Sequence, residues 1–542
     1  MQLPSVAVYT PVDADAAHLY LADEVIALDA ALGARGYLDG QALLVAARLS
    51  CATAIHPGYG FLSQSPQFAT ACAEAGVIFI GPSPAAMTSL GDKRRARQMA
   101  VAQAIPVIPG VEAIDGAVEA AQAAAKIGYP VLIKAAGGGG GKGMRRVAAP
   151  EDLSAALSAA AREAQHAFGD ARLLLEKCIA PARHIEVQIL GDGVQALALG
   201  ERECSLQRRY QKIIEESPAQ MLGGALRDSL QAAAVRLVAA AKYQGAATVE
   251  FLVDAAGAYY FLEVNTRLQV EHPVTELCRG IDLVQAQIEL AHGQALTAIK
   301  SHAPWGHAIE ARLNAENPQN SFMPSTGRIE ALIWPQGPGI RVDAGIELGS
   351  QIGSDYDAML AKIIAWAPTR ALCRARLVAA LQEMVILGVV TNQSFLLTLL
   401  QSEAFITNET YVTTVEDTKW PRIEAPQAVA ALGQAVRDAP KMGGALAETT
   451  RASGADRYAP WERMSDGFCG GQHPRRHLAG LFGRGHVPRC ANRPNGQPAR
   501  AASSKESANR HPNSARPDGR THRRAPWRCG RALQARRDAG GA

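Results

Sequence analysis

The chain has 542 residues, of which 48% are hydrophobic and 20% charged, a composition typical of a globular protein with three or four domains. The net charge of +4 is uneven, because residues 471–542 contain 15 Arg, one Lys and three acidic residues, and the mildly acidic remainder argues against nucleic acid as a partner. Nine cysteines without a CxxC pair, and an apolar stretch broken by Asn392 and Gln393, predict a cytoplasmic protein that does not span a membrane.

The first part of the chain alternates short β-branched runs with Ala-rich helical stretches, as α/β domains do. Strands are predicted at "SVAVYT", at Val77–Ile80 and at Tyr129–Lys134, with the helical run "GAVEAAQAAAKIG" before the third. Five strand patterns then follow between Leu173 and Val264. A mixed segment from His307 closes with the helical pattern "TRALCRARLVAALQEM". The expected fold class is therefore multidomain, combining α/β and α+β structure.

The composition changes after Glu416. The chain becomes polar and Pro-rich there, which predicts a linker over 416–470. Residues 471–542 contain seven Pro, nine Gly and only five residues among Val, Ile, Leu, Met and Phe, so an Arg-rich disordered tail is expected. A nucleic-acid-binding arm and a natural linker are two explanations of the tail. We favour a third, translation out of frame after about Gly467, because Arg so greatly outnumbers Lys.

Five consecutive glycines follow the predicted strand that ends at Lys134, in the segment "KAAGGGGGKGM". Glycine tolerates positive φ and lets backbone N–H groups converge on an anion, and Lys134 adds a charge suited to phosphate. The segment is not a P-loop, because Gly143 follows Lys142 where a P-loop has Ser or Thr. A flexible linker is the alternative to a phosphate-binding loop.

The segment "ATVEFLVDAAGAYYFLEVNTRLQVEH" predicts two apolar strands joined by a four-residue loop. If Val253 pairs with Ala258, Glu250 and Glu263 become diagonal neighbours on one face, about 7 Å apart. Two carboxylates on an apolar hairpin repel each other unless a cation lies between them, and oxygen ligands suit Mg²⁺. The alternative is that one glutamate simply faces solvent.

Beyond Glu263 every second residue is polar, namely Asn265, Arg267, Gln269 and Glu271. An extended chain would place all of them on one face. Arg267 could then hold a planar oxyanion, and Glu271 could remove a proton from it. A solvated strand face is the alternative, but the mixture of carboxylate, amide and guanidinium favours a reaction site.

Four further segments are informative mainly in combination. "ERECSLQRRYQKIIEESPA" contributes Gln207, Tyr210 and Lys212, although it could be ordinary surface. "GHAIEARLNAENP" places Arg312 among alternating apolar residues, which implies a planar partner. "HPGYGFLSQS" and "LGDK", which contains Lys93, are weak signals alone.

In this order the segments closely resemble the biotin carboxylase family of ATP-grasp enzymes. The resemblance rests on "HPGYGFLS", "GGGGGKGM", "RHIEVQ", "QRRYQKIIEESPA", "EVNTRLQVEHPVTE" and "GHAIEARLNAENP", and runs to about Glu416. It implies a truncated biotin carboxylase N-terminal α/β domain over 1–89 that lacks the family's first strand. It also implies an ATP-grasp domain over 90–293, with a lid at about 106–178, and a C-terminal domain over 307–415.

The resemblance also implies roles for individual residues. The nucleotide would be bound by Lys93, Lys134, Gly140, Gly141, Glu176, Lys177, His184, Gln207 and Tyr210, the last in a position where close relatives usually have His. Mg²⁺ (or Mn²⁺) would be held by Glu250, Glu263 and Asn265. Bicarbonate would be held by Lys212, Arg267, Gln269 and Val270. Glu271 would be the general base, and Arg312 would face the ureido oxygen of biotin.

The implied activity is ATP- and bicarbonate-dependent carboxylation of biotin, the first half-reaction of an acyl-CoA carboxylase. The sequence contains no Met-Lys-Met tripeptide, so this chain is expected to carry no biotinyl lysine, and biotin is expected either on a separate carrier or on a domain lost with the reading frame. The expected partners are that biotin carboxyl carrier protein or domain, a carboxyltransferase subunit and a second copy in a homodimer. Another ATP-grasp ligase, joining a carboxylate to an amine, is an alternative activity. An inactive protein that binds nucleic acid through its basic tail is the alternative from another class.

Overall fold

The computed structural model describes Met1 and residues 3–111, 114, 116–135 and 144–421. The glycine segment, with the predicted sites Gly140 and Gly141, lies outside the described residues. The predicted tail and all of the predicted linker beyond residue 421 also lie outside them.

The first 91 residues combine short parallel strands with helices, which confirms the predicted α/β character. They contain the strands β1 (Val6–Tyr9), β2 (Glu24–Ala27), β3 (Ala54–Ile55) and β4 (Ile78–Phe79) and the helices α1 (Gly40–Leu49), α2 (Pro66–Glu74) and α3 (Pro84–Gly91). β1 pairs with β2, and β3 pairs with β4, both in parallel. The side chains of Asp39, Ser65 and Ser83 accept backbone hydrogen bonds at the starts of the three helices, which explains where those helices begin.

A four-stranded sheet packs against Ala-rich helices in the next part of the chain. The strands are β5 (Gly110–Val111), β6 (Val131–Ala135), β7 (Arg145–Val147) and β8 (Leu173–Lys177), and the helices are α5 (Ala117–Ile127) and α6 (Leu153–Phe168). The preceding helix α4 (Lys93–Ala102) belongs to a different core, which contains Ala96 and Ala100. The strand order is β5-β8-β6-β7, all antiparallel. Buried Val131, Ile133 and Leu175 meet Ala120 and Ala160 in its core. Small residues on the helices allow them to lie close to the sheet.

An eight-stranded antiparallel sheet forms the centre of the fold. The remaining strands are β9 (Ala182–Asp192), β10 (Ala196–Arg208), β11 (Gln211–Ser217), β12 (Gln244–Asp254), β13 (Tyr259–Asn265), β14 (His307–Asn314), β15 (Glu316–Asn317), β16 (Met323–Pro324), β17 (Gly327–Arg328), β18 (Ala331–Ile333), β19 (Ile340–Ala344), β20 (Gln351–Ile352), β21 (Met359–Ala367) and β22 (Val385–Leu387). The order in the large sheet is β13-β12-β9-β10-β11-β14-β21-β19. This sheet is continuous across the domain boundary predicted between residues 293 and 307, and the boundaries themselves stay predictions.

Helices cover the large sheet and complete two cores. They are α7 (Gly224–Ala240), α8 (His272–Arg279), α9 (Leu283–Ala291), α10 (Arg370–Glu383), α11 (Gln393–Gln401), α12 (Glu403–Ile406) and α13 (Thr414–Asp417). One core joins α7 to β9 and β12 through Leu230, Val187 and Phe251. The other joins α10 and α11 to β14 and β21. Among the described residues, no helix combines the length and the apolar character that a membrane crossing needs.

Candidate active site

A cleft of about 1500 Å³ brings the predicted site residues together. Its walls come from the four-stranded sheet, from one face of the eight-stranded sheet and from the turn after β3. The predicted residues that line it are Lys93, Lys134, Glu176, Lys177, His184, Gln207, Tyr210, Lys212, Glu250, Glu263, Asn265, Arg267, Gln269, Val270 and Arg312. Glu271 is fully buried directly behind this surface.

The hairpin β12–β13 places Glu250 and Glu263 directly opposite each other. The predicted diagonal arrangement is wrong, because the turn is one residue longer than expected and Val253 pairs with Tyr259 instead of Ala258. A β-bulge at Leu262 then shifts the register by one more residue. Two shifts leave both carboxylates on the same face, and closer together than predicted.

The chain beyond Asn265 is bent instead of extended. β13 ends at Asn265, and residues 266–271 form a bend and a turn that lead into α8. The prediction of one extended strand is therefore wrong. The polar side chains still converge, because Asn265 and Gln269 both donate hydrogen bonds to the Glu250 carboxylate, at 2.8 and 3.2 Å.

Lys212 lies among three buried carboxylates at the base of the cleft. Its Nζ is 2.5 Å from Glu186, 2.8 Å from Glu250 and 2.8 Å from Glu271. Burial alone would lower the pKa of Lys212, but these three carboxylates raise it well above its usual value. Lys212 is therefore protonated at neutral pH, and its charge in turn lowers the pKa of Glu250 and of Glu271.

Glu271 is shared between two cations. Its second oxygen accepts a hydrogen bond from Arg312 at 2.8 Å, and the same guanidinium is 2.5 Å from Glu215. Burial would raise the pKa of Glu271, but Lys212 and Arg312 hold it well below its usual range. The planar partners that the sequence implied for Arg312 are thus two carboxylates, and Glu271 is in the form that accepts a proton.

Two groups of buried side chains are of the types that bind metal ions, but a lysine lies among them. Ligand atoms of His184, Glu186 and Glu250 lie within 4.8 Å of one another, as do those of Glu186, Cys204 and Glu271. The ammonium of Lys212 bonds two carboxylates in each group. The position between the two carboxylates of each group is therefore already occupied by an ammonium.

The residues predicted to hold Mg²⁺ suit that ion. Glu250 and Glu263 offer two carboxylates side by side, and the amide of Asn265 lies next to them, with its nitrogen donating to Glu250 and its oxygen accepting from Arg267. Burial would raise the pKa of Glu250, but Lys212 and His184 hold it well below its usual range, so this carboxylate is ionised. An all-oxygen donor set with two carboxylates is the kind that Mg²⁺ takes in nucleotide-dependent enzymes.

Paired charges form the part of the cleft that was predicted to bind the nucleotide. Lys134 Nζ is 2.5 Å from Glu176, and Lys93 Nζ is 3.5 Å from Glu263. His184 and Gln207 are hydrogen bonded to each other at 2.6 Å. The ammonium of Lys177 differs from this pattern, because it donates to the carbonyls of residues 128 and 129 at 2.8 and 3.1 Å, away from the other charges.

Tyr210 and Arg267 mark two edges of the cleft. Tyr210 lies in the turn between β10 and β11 with φ of 64°, and its side chain is part of the lining. Arg267 donates to the side chains of Gln64, Gln269 and Asn265 at 2.9, 2.9 and 3.2 Å. These neutral partners orient the guanidinium without neutralising it, so it keeps its charge for an anion.

Several residues that build the site were missed from the sequence. They are Gln64, Glu186, Arg202, Glu215, Glu310 and Lys362. Arg202 is fully buried and binds Glu186 at 2.5 Å, and both oxygens of buried Glu310 lack a hydrogen-bond partner among the described residues. Most of them could have been identified as charged residues in the middle of apolar strands, as in "RHIEVQIL", "HAIEAR" and "MLAKIIAWA".

The buried side chain of His272 predicts how the stability of the protein depends on pH. Its Nδ1 donates to the carbonyl of Gln269 at 2.7 Å. Burial, followed by the charge of Lys362, lowers the pKa of His272 to about 3 from its usual 6.5. The other charged groups around the ring are Glu276, Arg341 and Asp343. The folded protein therefore binds this proton less readily than the unfolded chain does, and the ring is neutral near pH 7.

The stabilisation from neutral His272 is complete above about pH 6.5 and is lost as the pH falls toward 3. Between pH 6.5 and 4 we expect the free energy of unfolding of the wild type to fall by on the order of 1 kcal/mol per pH unit more than that of His272→Asn. The asparagine amide retains a donor for the Gln269 carbonyl but does not titrate. Urea denaturation across this range measures both slopes, and identical slopes would contradict the assignment.

Comparisons with known proteins show which family the chain resembles. Three sequence families match in turn: "Biotin carboxylase, N-terminal domain" over residues 1–87, "Carbamoyl-phosphate synthase L chain, ATP binding domain" over 92–299 and "Biotin carboxylase C-terminal domain" over 310–417. The chain is 42% identical to a biotin carboxylase of a Nostoc strain, over 75% of this chain and 92% of that protein. It is 47% identical to the biotin-dependent acyl-coenzyme A carboxylase alpha3 subunit of Mycobacterium leprae, over 72% of this chain and 66% of that subunit.

A solved structure is also similar. It is the biotin carboxylase domain dimer of the 2-oxoglutarate carboxylase of Hydrogenobacter thermophilus, in complex with Mg-ADP, ADP and bicarbonate. The sequence identity is 39% and the TM-score is 0.74, over 76% of this chain and 91% of that one.

Proposed function

Because the chain belongs to the biotin carboxylase family, we propose that it catalyses the ATP- and bicarbonate-dependent carboxylation of biotin. The observation that carries this proposal is the cluster of Lys212, Glu271 and Arg312 beside the paired Glu250 and Glu263. It places a carboxylate base, two fixed cations and an oxygen-rich cation site on one wall of one cleft.

The first step is the activation of bicarbonate. Arg267, Lys212 and the backbone at Val270 hold the anion, and Glu271 takes its proton. The deprotonated oxygen then attacks the γ-phosphate of ATP, which gives carboxyphosphate and ADP. Bound Mg²⁺ or Mn²⁺, held by Glu250, Glu263 and Asn265, would supply positive charge that offsets the charge of the phosphates.

The nucleotide is positioned by side chains from both sheets and from α4. Lys93 and Lys134 provide charge toward the phosphates, while Glu176, Lys177, His184, Gln207 and Tyr210 complete the surroundings. Glu176 restrains the Lys134 ammonium at 2.5 Å. Lys177 can take part only through its backbone in this arrangement, because its ammonium is bound to two carbonyls.

The second step transfers the carboxyl group. Carboxyphosphate decomposes to CO₂ and phosphate, and the phosphate removes the proton from the ureido nitrogen of biotin. That nitrogen then bonds to CO₂. Negative charge develops on the ureido oxygen, and Arg312 stabilises it.

The partners proposed for the chain follow from its relatives. We propose that biotin is presented on a carrier protein or domain, that a carboxyltransferase subunit uses the carboxybiotin, and that the chain forms a homodimer in the cytoplasm. The named acyl-coenzyme A carboxylase subunit and the dimeric biotin carboxylase domain support these assignments. The present chain spans about two thirds of the length of that subunit.

The direct test is to measure ADP formation by the purified chain in bicarbonate-free buffer, with bicarbonate, and with bicarbonate plus free biotin. ADP formation should require bicarbonate and should rise with biotin, and labelled bicarbonate should appear in carboxybiotin. The requirement arises because ATP lacks an activated acceptor when the anion is absent. ATP turnover that ignores both bicarbonate and biotin would contradict the proposal.

A further inference from the structure

Lys362 is a buried lysine at the centre of an apolar strand. It is the fourth residue of β21, and it is 3% exposed between buried Ala361 and Ile363. Removing an ammonium from water costs several kcal/mol, and a well-packed apolar residue often stabilises such a position as well as a buried ion pair does. Packing alone therefore gives no reason for a lysine at this position.

The contacts of Lys362 point to the cleft. Its Nζ donates to the backbone carbonyl of Val270 at 2.6 Å and lies 3.2 Å from the Asp343 carboxylate. Arg341 holds the same carboxylate through two bonds, of 2.7 and 3.0 Å. Burial would raise the pKa of Asp343, but Arg341 and Lys362 lower it, so the carboxylate is ionised and holds the ammonium in place.

Strand register places Lys362 between two charged residues of neighbouring strands. Arg312 on β14 is directly opposite it on one side, and Asp343 on β19 is opposite it on the other. Like charges in directly opposed positions destabilise a sheet. The Arg312–Lys362 pair therefore has a cost that the fold itself does not require.

The carbonyl that Lys362 holds belongs to the turn between β13 and α8. A peptide unit is planar, so fixing the Val270 carbonyl also fixes the backbone nitrogen of Glu271. The preceding peptide unit is fixed in the same way, because His272 donates to the Gln269 carbonyl at 2.7 Å, and that unit contains the Val270 N–H. Two donors behind the cleft thus set the orientation of two consecutive peptide units that face it.

We propose that Lys362 is a positioning residue for bicarbonate. It touches no substrate, but it orients the Val270–Glu271 peptide and with it the general base and the backbone of the bicarbonate pocket. This inference rests on the proposed function, since it concerns the pocket in which bicarbonate would be activated.

The test compares Michaelis constants in Lys362→Met, which keeps the length and volume of the side chain but removes the donor and the charge. We expect the KM for bicarbonate to rise at least about tenfold, because small displacements of positioning groups have effects of this size or larger. The KM for ATP should stay within about twofold, since Lys134 and Glu176 lie on the separate four-stranded sheet. Asp343→Asn retains Lys362 but removes the carboxylate charge that holds its ammonium in place. This variant should also raise the KM for bicarbonate, by a smaller factor than Lys362→Met.

Arg370→Leu is the matched control for loss of a buried cation. Arg370 binds the buried Glu216 carboxylate at 2.6 and 3.0 Å, and it has no contact with the turn among its described hydrogen bonds. This variant should lose thermal stability without a change in the KM for bicarbonate. If Lys362→Met does not fold, the Asp343→Asn variant decides the question.

Three outcomes would overturn the inference. An unchanged KM for bicarbonate in Lys362→Met, or in Asp343→Asn where that variant decides, would overturn it while the proposed function stands. Equal increases in the KM for ATP and the KM for bicarbonate would also overturn the inference and leave the proposed function standing, because they indicate a general structural role of Lys362. Wild-type turnover that is independent of bicarbonate would remove the proposed function and this inference together.

Discussion

Replacing Glu250 and Glu263 together by glutamine should abolish Mg²⁺-dependent ATP turnover and leave the fold intact. The two carboxylates face each other directly on β12 and β13, so their neutral amides remove the charge that would bind the cation. Without it, the phosphates of ATP lose their main charge compensation, and a fall in kcat of at least about 10³-fold is expected. The fold should survive, because Lys212 keeps the carboxylates of Glu186 and Glu271.

The measurement is ADP release as a function of Mg²⁺ concentration, with thermal denaturation of the same samples. Glu316→Gln is a suitable control, because Glu316 also lines the cleft but pairs with Arg208 at 2.8 Å, away from the hairpin. That variant should retain nearly wild-type turnover. Full activity in the double variant would refute the metal assignment.

Arg312→Ala and Glu271→Ala should separate the two chemical steps. In the proposed mechanism Glu271 acts before the phosphoryl group moves, because bicarbonate is a poor nucleophile until its proton is lost. Arg312 is proposed to act afterwards, on the negative charge that develops on biotin. Arg312→Ala should therefore keep much of the bicarbonate-dependent ATPase seen without biotin, and lose carboxybiotin formation about tenfold for each 1.4 kcal/mol of lost stabilisation. Glu271→Ala should lose both activities together.

The structure gives a reason why the bicarbonate-dependent ATPase should survive in Arg312→Ala. Glu271 is bound by Lys212 as well as by Arg312, so the base stays ionised when the guanidinium is removed. The assay needs excess free biotin and a bicarbonate-free control, with Arg312→Lys as the variant that keeps the charge. If Arg312→Ala lost the biotin-independent ATPase as completely as Glu271→Ala, Arg312 would belong to the nucleotide or bicarbonate site instead.

The β12–β13 hairpin shows how much of a strand pairing can be predicted from the local sequence. Alternation of polar and apolar residues placed Glu250 and Glu263 correctly on one face, but the register was wrong by two residues. A longer turn and a bulge at Leu262 each moved the pairing by one. Because the side-chain period of a strand is two, both shifts together restore the face. Neither shift changes the alternation of polar and apolar residues along the strands. The direct pairing of Glu250 with Glu263 is therefore visible only in the structure.

The partners of Lys212 and Arg312 could not be predicted for a different reason. Glu186, Glu215 and Glu271 come from β9, β11 and the start of α8. Which of these residues meet depends on the strand order of the large sheet, and no local pattern encodes that order. The same holds for Lys362 and Asp343, which become neighbours only because β19 is the edge strand beside β21.

The continuous eight-stranded sheet has a mechanical consequence. β11 carries Lys212 and β14 carries Arg312, and the two strands are joined by a hydrogen-bonded ladder. Under the proposed function, the spacing between the site that would activate bicarbonate and the site that would bind biotin is set by backbone pairing, which is stiffer than a hinge between separate domains. Because Glu271 lies 2.8 Å from both Lys212 and Arg312, the proposed mechanism needs no domain movement to bring the two sites together.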